Sequence, residues 1–188
     1  RWDLASSFQL ETDFPLYLQL ELHQDCNLRC PMCAIAIPEA REKYITNDHM
    51  SWELYQKIIL EAEKYNCPSL SPQGINEPLL DKDLEKYIRF AADHGFIDIM
   101  INTNATLLTE KRSRSLLKSG LTRLRFSLDA ASKETFEKTR VGANHDQVMK
   151  NISKFLEIKI FSIISKCYEL LCCVFSNIFF PKFRIILK

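Results

Sequence analysis

Apolar residues follow two different spacings along the first 157 residues of the chain. Short apolar runs predict strands at 17–22, near 69–71, at 97–101 and at 123–128. Between these runs, apolar residues recur every three or four positions. This spacing predicts helices over about 51–65, from 81 or 83 to 94, from 109 to 120, over about 132–139 and from 144 onward. Strands that alternate with helices are typical of an α/β fold.

Residues that favour helix ends support these boundaries. Ser51, Thr109 and Ser132 each precede a periodic stretch, where a side-chain oxygen can accept a hydrogen bond from the first turn. Gly95 and Gly120 follow two of the stretches, where glycine readily takes the left-handed conformation that ends a helix. The side chains expected to face the core are Leu54, Ile58 and Ala62 in the first helix, Leu84, Ile88, Ala91 and Ala92 in the second, Leu116 and Leu117 in the third, and Val148, Ile152 and Phe155 in the last.

The spacing of the strands indicates how they are connected. The second, third and fourth strands follow one another at intervals of about 25–30 residues, the length of a strand–helix–strand unit. Such units form parallel sheets with right-handed crossovers. We therefore expect about four βα units of a barrel-like or open α/β fold.

The composition of the chain argues against two kinds of binding partner, nucleic acids and membranes. The chain has 188 residues, of which 46% are hydrophobic, enough for one domain with a real core. Its net charge is +1 and no basic block stands out through residue 157, so we expect no nucleic-acid partner. The apolar stretch at 170–180 is too short to cross a bilayer, and Lys166 and Glu169 interrupt any longer window, so we expect no membrane span.

The last 31 residues differ in composition from the repeating units. They contain no glycine and one acidic residue, Glu169, whereas turns between strands and helices usually need Gly, Asn, Asp or Pro. We divide the chain into a core at 1–157 and an atypical apolar tail at 158–188. The favoured interpretation is that the tail is not a native continuation, as after a frameshift or read-through; the alternative is a genuine, buried final strand and helix.

Three cysteines lie within eight residues, directly after the first apolar run. Cys26, Cys30 and Cys33 have the spacing C-x3-C-x2-C, so three thiolates on one loop can hold three corners of an iron–sulfur cube. The fourth iron then stays open for a small molecule. Structural zinc wants a fourth protein ligand, and an electron-transfer cluster wants a fourth cysteine. A zinc loop or a chance grouping remains the alternative for this motif alone.

Polar segments also follow the other three strands. They are residues 71–80, with Glu77 and Pro78; residues 102–105, with Asn104; and residues 125–130, with Ser127 and Asp129. In α/β folds, ligands bind at the carboxyl ends of parallel strands, so these segments can meet around one site. Each segment taken alone also fits an ordinary polar turn.

Taken together, the four segments resemble the radical S-adenosylmethionine (radical SAM) enzymes over residues 16 to about 157. This resemblance implies a partial (β/α)6 barrel, with about four βα units present and the C-terminal units missing or altered. The run 127–130, with Arg140 and Gly142 downstream, is similar to the SPASM-like subgroup. Asn76 and Ala105 stand where that family usually has glycine.

The resemblance also implies cofactors and their ligands. Cys26, Cys30 and Cys33 would hold a [4Fe–4S] cluster whose open iron binds S-adenosylmethionine (SAM). Met32 would lie against adenine, the segment 74–78 would bind the SAM amino group, and Ser127 and Arg140 would contact its ribose or carboxylate. The full set of expected SAM contacts is Met32, Gly74, Asn76, Glu77, Pro78, Asn104, Ser127, Asp129 and Arg140.

The activity implied by the resemblance is reductive cleavage of SAM to a 5′-deoxyadenosyl radical that abstracts hydrogen from a substrate. The sequence leaves the substrate open among peptides or proteins, sugars and an enzyme under maturation. The implied partners are that substrate and an electron donor such as flavodoxin or ferredoxin. The odd count of seven cysteines and an oxygen-sensitive cluster predict the reducing cytoplasm. The alternatives are an inactive, truncated fragment of such an enzyme and a zinc- or cluster-binding module.

Overall fold

The computed structural model describes residues 13–45 and 48–179. Its centre is a parallel sheet of four strands in the order β1 (Tyr17–Gln19), β2 (Ser69–Ser71), β3 (Asp98–Thr103) and β4 (Arg123–Phe126). Leu18 pairs with Leu70, Leu70 with Ile99, and Ile101 with Leu124, so apolar residues line up across the sheet. The predicted α/β fold of four βα units is thereby confirmed.

Six helices connect and cover the strands in the described part of the chain. They are α1 (Pro38–Tyr44), α2 (Trp52–Lys64), α3 (Leu84–Asp93), α4 (Glu110–Lys118), α5 (Lys133–Thr139) and α6 (His145–Phe179), with short 3-10 turns at Ala34–Ala36 and Pro78–Leu80. The three predicted caps are present: Ser51, Thr109 and Ser132 accept hydrogen bonds from the backbone N–H groups of Leu54, Arg112 and Thr135.

The buried face of α2 is shifted by one position from the predicted face, with Tyr55 and Ile59 in place of Leu54 and Ile58. Tyr55, Ile59 and Ala62 are fully buried, whereas Leu54, predicted to face inward, is 48% exposed. The reason is aromatic: the Tyr55 ring packs edge-on against Tyr87 at 4.7 Å, and its hydroxyl donates to the Tyr87 carbonyl at 2.8 Å. Burying this ring and satisfying its hydroxyl rotates the helix away from the face that aliphatic spacing alone suggests.

The core lies against one face of the sheet, since buried and half-buried residues alternate along β3. Leu70, Ile99 and Ile101 are fully buried in β2 and β3, and the helices cover them with a second layer. The helices contribute buried side chains to this core, including Tyr55 and Ile59 of α2, Ile88 of α3, Leu116 of α4, Phe136 of α5, and Val148 and Phe155 of α6. At the carboxyl ends of the strands the buried residues change to polar ones, including Glu77, Thr103 and Asn104.

Helix α6 begins near the predicted start and runs to Phe179. Asn144 accepts a hydrogen bond from the Gln147 N–H at 2.9 Å at this start. Residues 158–179 continue the same helix, and residues 180–188 lie outside the described part of the chain. The division at residue 157 therefore stays a prediction. Within the described residues, no helix combines the length and the apolar character that a membrane crossing needs.

Two glycines at helix ends offer a matched test of stability. Gly120 has φ +99°, and a Cβ there would lie 2.6 Å from the Ala92 Cβ; Gly95 has φ +89°, and a Cβ there would have nothing within 4 Å. We expect Gly95→Ala to cost only the left-handed strain, about 1–2 kcal/mol. Gly120→Ala adds overpacking against α3, for a total loss of about 2–4 kcal/mol. Urea unfolding measures both; equal losses would contradict the packing contribution.

Candidate functional site

The carboxyl ends of the strands surround one cavity of about 240 Å³. All four sequence segments contribute to its wall. The lining residues are Cys26, Leu28, Cys30, Cys33, Ile35, Gln73, Gly74, Ile75, Asn76, Glu77, Asn102, Thr103, Asn104, Ser127 and Arg140. The structure therefore brings the three cysteines together with the segments after β2, β3 and β4.

The loop that carries the cysteines is held by its own backbone and by α1. The Cys33 N–H donates to the Cys30 carbonyl at 2.9 Å, which closes a tight turn. Before the first cysteine, the Asp25 carboxylate accepts from the Cys26 N–H at 2.8 Å and pairs with Arg41 of α1 at 2.9 Å. The loop thus has a defined shape although it contains no strand and only a 3-10 turn at its end.

The connection between α5 and α6 packs against the same loop. The Arg29 N–H donates to the Val141 carbonyl at 2.9 Å. A Cβ at Gly142 would lie 3.3 Å from Leu28 Cδ2, so the absence of a side chain there allows the two backbones to approach closely. The downstream Arg-x-Gly element therefore touches the cysteine loop directly, a contact that strand and helix patterns do not predict.

Glu77 connects three parts of the site. Its carboxylate is buried and accepts hydrogen bonds from the Thr103 hydroxyl at 2.7 Å, the Asn104 N–H at 2.7 Å and the Leu79 N–H at 3.1 Å. Its backbone N–H donates to the Asp25 carbonyl at 3.0 Å. Burial raises the pKa of Glu77, and the three donors offset part of that rise. The end of β2, the end of β3 and the cysteine loop are joined at this one residue.

Asparagine side chains link the cysteine loop to α6. Asn104 Nδ2 donates to Asn27 Oδ1 at 2.9 Å, and Asn27 Nδ2 donates to the Thr106 hydroxyl oxygen at 2.8 Å. From α6, Asn151 Nδ2 donates to the Ala105 carbonyl at 2.8 Å. Sequence reasoning missed Asn27 and Asn151; the available signal for Asn151 was a polar residue on the helix face that also carries the apolar core positions.

The two departures from the family glycines have different backbone conformations. In the described residues, the non-glycine positions with positive φ are Asn66 and Ala105, so Asn76 has an ordinary φ. The Asn76 side chain instead accepts from the Gly74 N–H at 3.0 Å and lies 3.0 Å from His23 Nε2. Ala105, with φ 60°, occupies the left-handed region in which glycine is more comfortable.

Ser127 and Arg140 reach the cavity from the fourth strand end and from the end of α5. The Ser127 N–H donates to the Thr103 carbonyl at 2.9 Å, which extends the pairing of β3 and β4. Arg140 Nη1 donates to Cys30 Sγ at 3.7 Å, and Arg140 Nε lies 2.5 Å from Asp129 Oδ2. The N–H bond of Arg140 Nε does not point at a hydrogen-bond acceptor, so the contact between Arg140 and Asp129 is an ion pair.

Three predicted SAM contacts lie outside the cavity wall. Met32 is 60% exposed and sits in the turn between Cys30 and Cys33. Pro78 is buried at the start of a 3-10 turn, and Asp129 contacts Arg140. Gln73, which accepts from the Asn102 N–H, lines the cavity although no sequence motif indicated it as a contact.

The donor set fits an iron–sulfur cluster. The Cys26, Cys30 and Cys33 thiols line one cavity. Cysteine thiolates are the ligands of [4Fe–4S] clusters. Within the described residues, no group of three or more His, Cys, Asp or Glu side chains could hold a single metal ion.

A comparison with family models supports this assignment. A model described as the Radical SAM superfamily matches residues 20–169. Similar curated proteins include a probable GTP 3′,8-cyclase of Methanococcus maripaludis strain C5, 33% identical over 74% of this chain and 45% of the relative. The GTP 3′,8-cyclase of Clostridium botulinum strain Hall is 34% identical over 76% of this chain and 44% of the relative. The chain spans less than half the length of these relatives.

Solved structures share the fold. A crystal structure of BtrN in complex with AdoMet and 2-DOIA gives a TM-score of 0.57 at 21% identity, over 74% of this chain and 56% of that chain. The native anSMEcpe with bound AdoMet gives 0.63 at 22% identity, over 77% of this chain and 42% of that chain. These comparisons do not test the SPASM-like assignment, which stays a prediction.

Replacing Glu77 tests its role as the junction of the site. In Glu77→Gln the amide nitrogen cannot accept a hydrogen bond, so at least one buried donor among Thr103, Asn104 and Leu79 loses its partner. We expect a loss of about 1–3 kcal/mol in the free energy of unfolding. Glu42→Gln, on the exposed surface of α1, is the control and should change stability by less than about 0.5 kcal/mol.

The raised pKa of Glu77 also predicts a pH dependence. A carboxyl whose pKa is higher in the folded state binds more protons there than in the unfolded state, so its contribution to stability falls as pH rises from the ordinary value of 4.5 through the raised pKa. Glu77→Gln does not titrate. The stability gap between wild type and variant should therefore narrow as pH rises above the ordinary value of 4.5 in urea unfolding; a gap that widens would contradict the direction.

Proposed function

This chain belongs to the radical SAM superfamily, and we propose that it provides the SAM-cleaving part of such an enzyme. The observation that carries the proposal is the shared cavity, where the three cysteines meet the ends of β2, β3 and β4. Family membership implies a [4Fe–4S] cluster and SAM as cofactors. When bound, they supply one-electron reductive cleavage of SAM to a 5′-deoxyadenosyl radical, which abstracts hydrogen from the substrate.

The cavity residues divide into groups with different chemistry. Cys26, Cys30 and Cys33 would hold three corners of the cluster. The methionine part of SAM carries an ammonium and a carboxylate, and the positive charge of Arg140 in the cavity wall suits the carboxylate. Oxygen acceptors of the segment 73–76 suit the ammonium, and the Ser127 hydroxyl can serve either SAM group.

Glu77 has a different role in this proposal from the direct SAM contact that the resemblance implies. Oε1 already accepts from Thr103 and Leu79, and Oε2 accepts from Asn104. A carboxylate whose oxygens are used in this way is better suited to fix the surrounding backbone than to bind a ligand. We assign Glu77 the positioning of the segment 73–76 relative to β3.

A guanosine nucleotide is the substrate class that the relatives favour. Two proteins from different organisms carry the name GTP 3′,8-cyclase at 33% and 34% identity to this chain, and a third, from Desulforamulus reducens, does so at 31%. This support favours a nucleotide over the peptide suggested by the SPASM-like resemblance. An electron donor such as flavodoxin or ferredoxin and a cytoplasmic location belong to the same proposal.

Anaerobic reconstitution tests the proposed chemistry. The chain is loaded with iron and sulfide, reduced with dithionite and given SAM, and 5′-deoxyadenosine is quantified by chromatography. We expect Cys30→Ala to lower the yield by more than about 100-fold, since a cluster ligand is lost. Cys67→Ala removes a buried thiol outside the cavity and should retain the product.

Two results would contradict the proposal in different ways. A cluster without product would mean that the cysteine loop works and the SAM pocket does not, as in an inactive fragment. One zinc per chain without labile sulfide would favour the metal-binding module.

Nucleotide binding tests the substrate class separately. We expect the reconstituted chain with SAM to bind GTP at least about tenfold more tightly than ATP, a difference of about 1.4 kcal/mol in equilibrium dialysis. Equal binding of both nucleotides, or stimulation of 5′-deoxyadenosine formation by a peptide and not by GTP, would count against a guanosine substrate.

A further inference from the structure

The guanidinium of Arg140 contacts a cluster cysteine on one side and a carboxylate on the other. Nη1 donates to Cys30 Sγ at 3.7 Å, and Nε lies 2.5 Å from Asp129 Oδ2. The Arg140 side chain is 20% exposed and that of Asp129 is 35% exposed, so solvent only partly screens the pair. Asp129 lies between β4 and α5, and Arg140 is the first residue after α5. Their contact therefore brings the segments before and after this short helix together beside the cysteine loop.

The shape of arginine makes such an arrangement useful. Its guanidinium is planar and rigid, so an ion pair at one edge restricts where the rest of the group can lie. Asp129 lies outside the cavity wall, whereas Arg140 and Cys30 belong to it. Asp129 therefore reaches the site through Arg140.

The contact to sulfur has a consequence for electron transfer. Hydrogen bonds to the sulfurs and the net charge around an iron–sulfur cluster set its reduction potential. A one-electron reduction by an external donor adds one negative charge at the cluster site. A guanidinium beside Cys30 stabilises that added charge, so it favours the reduced state.

We propose that Asp129 is a positioning residue, and that it holds Arg140 against the Cys30 sulfur and thereby makes the bound cluster easier to reduce. The inference rests on the proposed function only in requiring that Cys26, Cys30 and Cys33 bind the cluster. It changes the role of Asp129 from a direct SAM contact to a residue that acts through its neighbour.

The direction of the effect of Asp129 separates this role from simple electrostatics. A carboxylate that acted alone near the cluster would oppose reduction, so its removal would make reduction easier. A carboxylate that holds the guanidinium in place favours reduction, so its removal would make reduction harder. The two explanations predict opposite signs for the same substitution.

A redox titration of the reconstituted chain, without SAM and followed by electron paramagnetic resonance, measures that sign. We expect Arg140→Gln and Asp129→Asn each to shift the reduction equilibrium about tenfold toward the oxidised state, because the positive charge beside Cys30 is lost or displaced. For a one-electron couple this is a fall of about 59 mV in midpoint potential. The double variant should fall no further than Arg140→Gln alone.

Two further variants serve as controls. Lys138→Gln removes one positive charge from an exposed side chain of α5, 73% exposed, and should change the equilibrium by less than about twofold because water and salt screen it. Asp129→Glu keeps the carboxylate and should restore the wild-type equilibrium within about twofold. If Arg140→Gln fails to hold a cluster, the contrast between Asp129→Asn and Asp129→Glu still decides.

Several outcomes would overturn the inference. If the cluster of Asp129→Asn is easier to reduce than that of wild type, Asp129 acts as an independent charge. The same conclusion follows if the substitution changes the midpoint potential equally in the presence and in the absence of Arg140. A normal cluster with unchanged potentials in both single variants would reject the pair and leave the proposed function intact. Failure of the wild-type chain to bind any cluster would reject the proposed function and the pair together.

Discussion

Burial of a carboxylate at the end of a parallel sheet is the constraint on which the site depends. Removing a charged or polar group from water is costly unless donors replace the lost solvent. At Glu77 those donors are the Thr103 hydroxyl and the Asn104 N–H at the end of β3, and the Leu79 N–H in the 3-10 turn that follows Glu77. The backbone N–H of Glu77 donates to the Asp25 carbonyl. The side chain and the backbone N–H of this one residue therefore join the ends of two strands to the cysteine loop.

The cysteine loop illustrates how a site can be ordered without regular structure of its own. Its shape comes from contacts with several distant elements: Arg41 in α1, Val141 between α5 and α6, and Asn104 after β3. The rigid sheet places these partners, and the partners place the thiols. Positions outside the cavity thus influence the chemistry inside it through geometry, as Asp129 does through Arg140 in the proposed arrangement.

Local patterns predicted the elements well and the contacts between them poorly. The caps at Ser51 and Thr109 depend on residues three positions apart, so the sequence contains all the information needed. The face of α2 was misassigned because the Tyr55 ring finds its partner on α3. Asn27 could not be paired with Asn104 from spacing, since their contact depends on the folded sheet. Helix α1, seven residues long, was also missed in the polar stretch after the cysteines.

The asparagine links between the cysteine loop and α6 join parts of the chain that are far apart in sequence. The bond between Asn104 and Asn27 joins residues 77 positions apart, and the bond between Asn151 and Ala105 joins residues 46 positions apart. The chain closes these links only by bringing distant segments together, and contacts of large sequence separation are slow to form. The arrangement of the thiols is therefore a property of the whole α/β core, and a peptide of the cysteine loop alone lacks the contacts that define it.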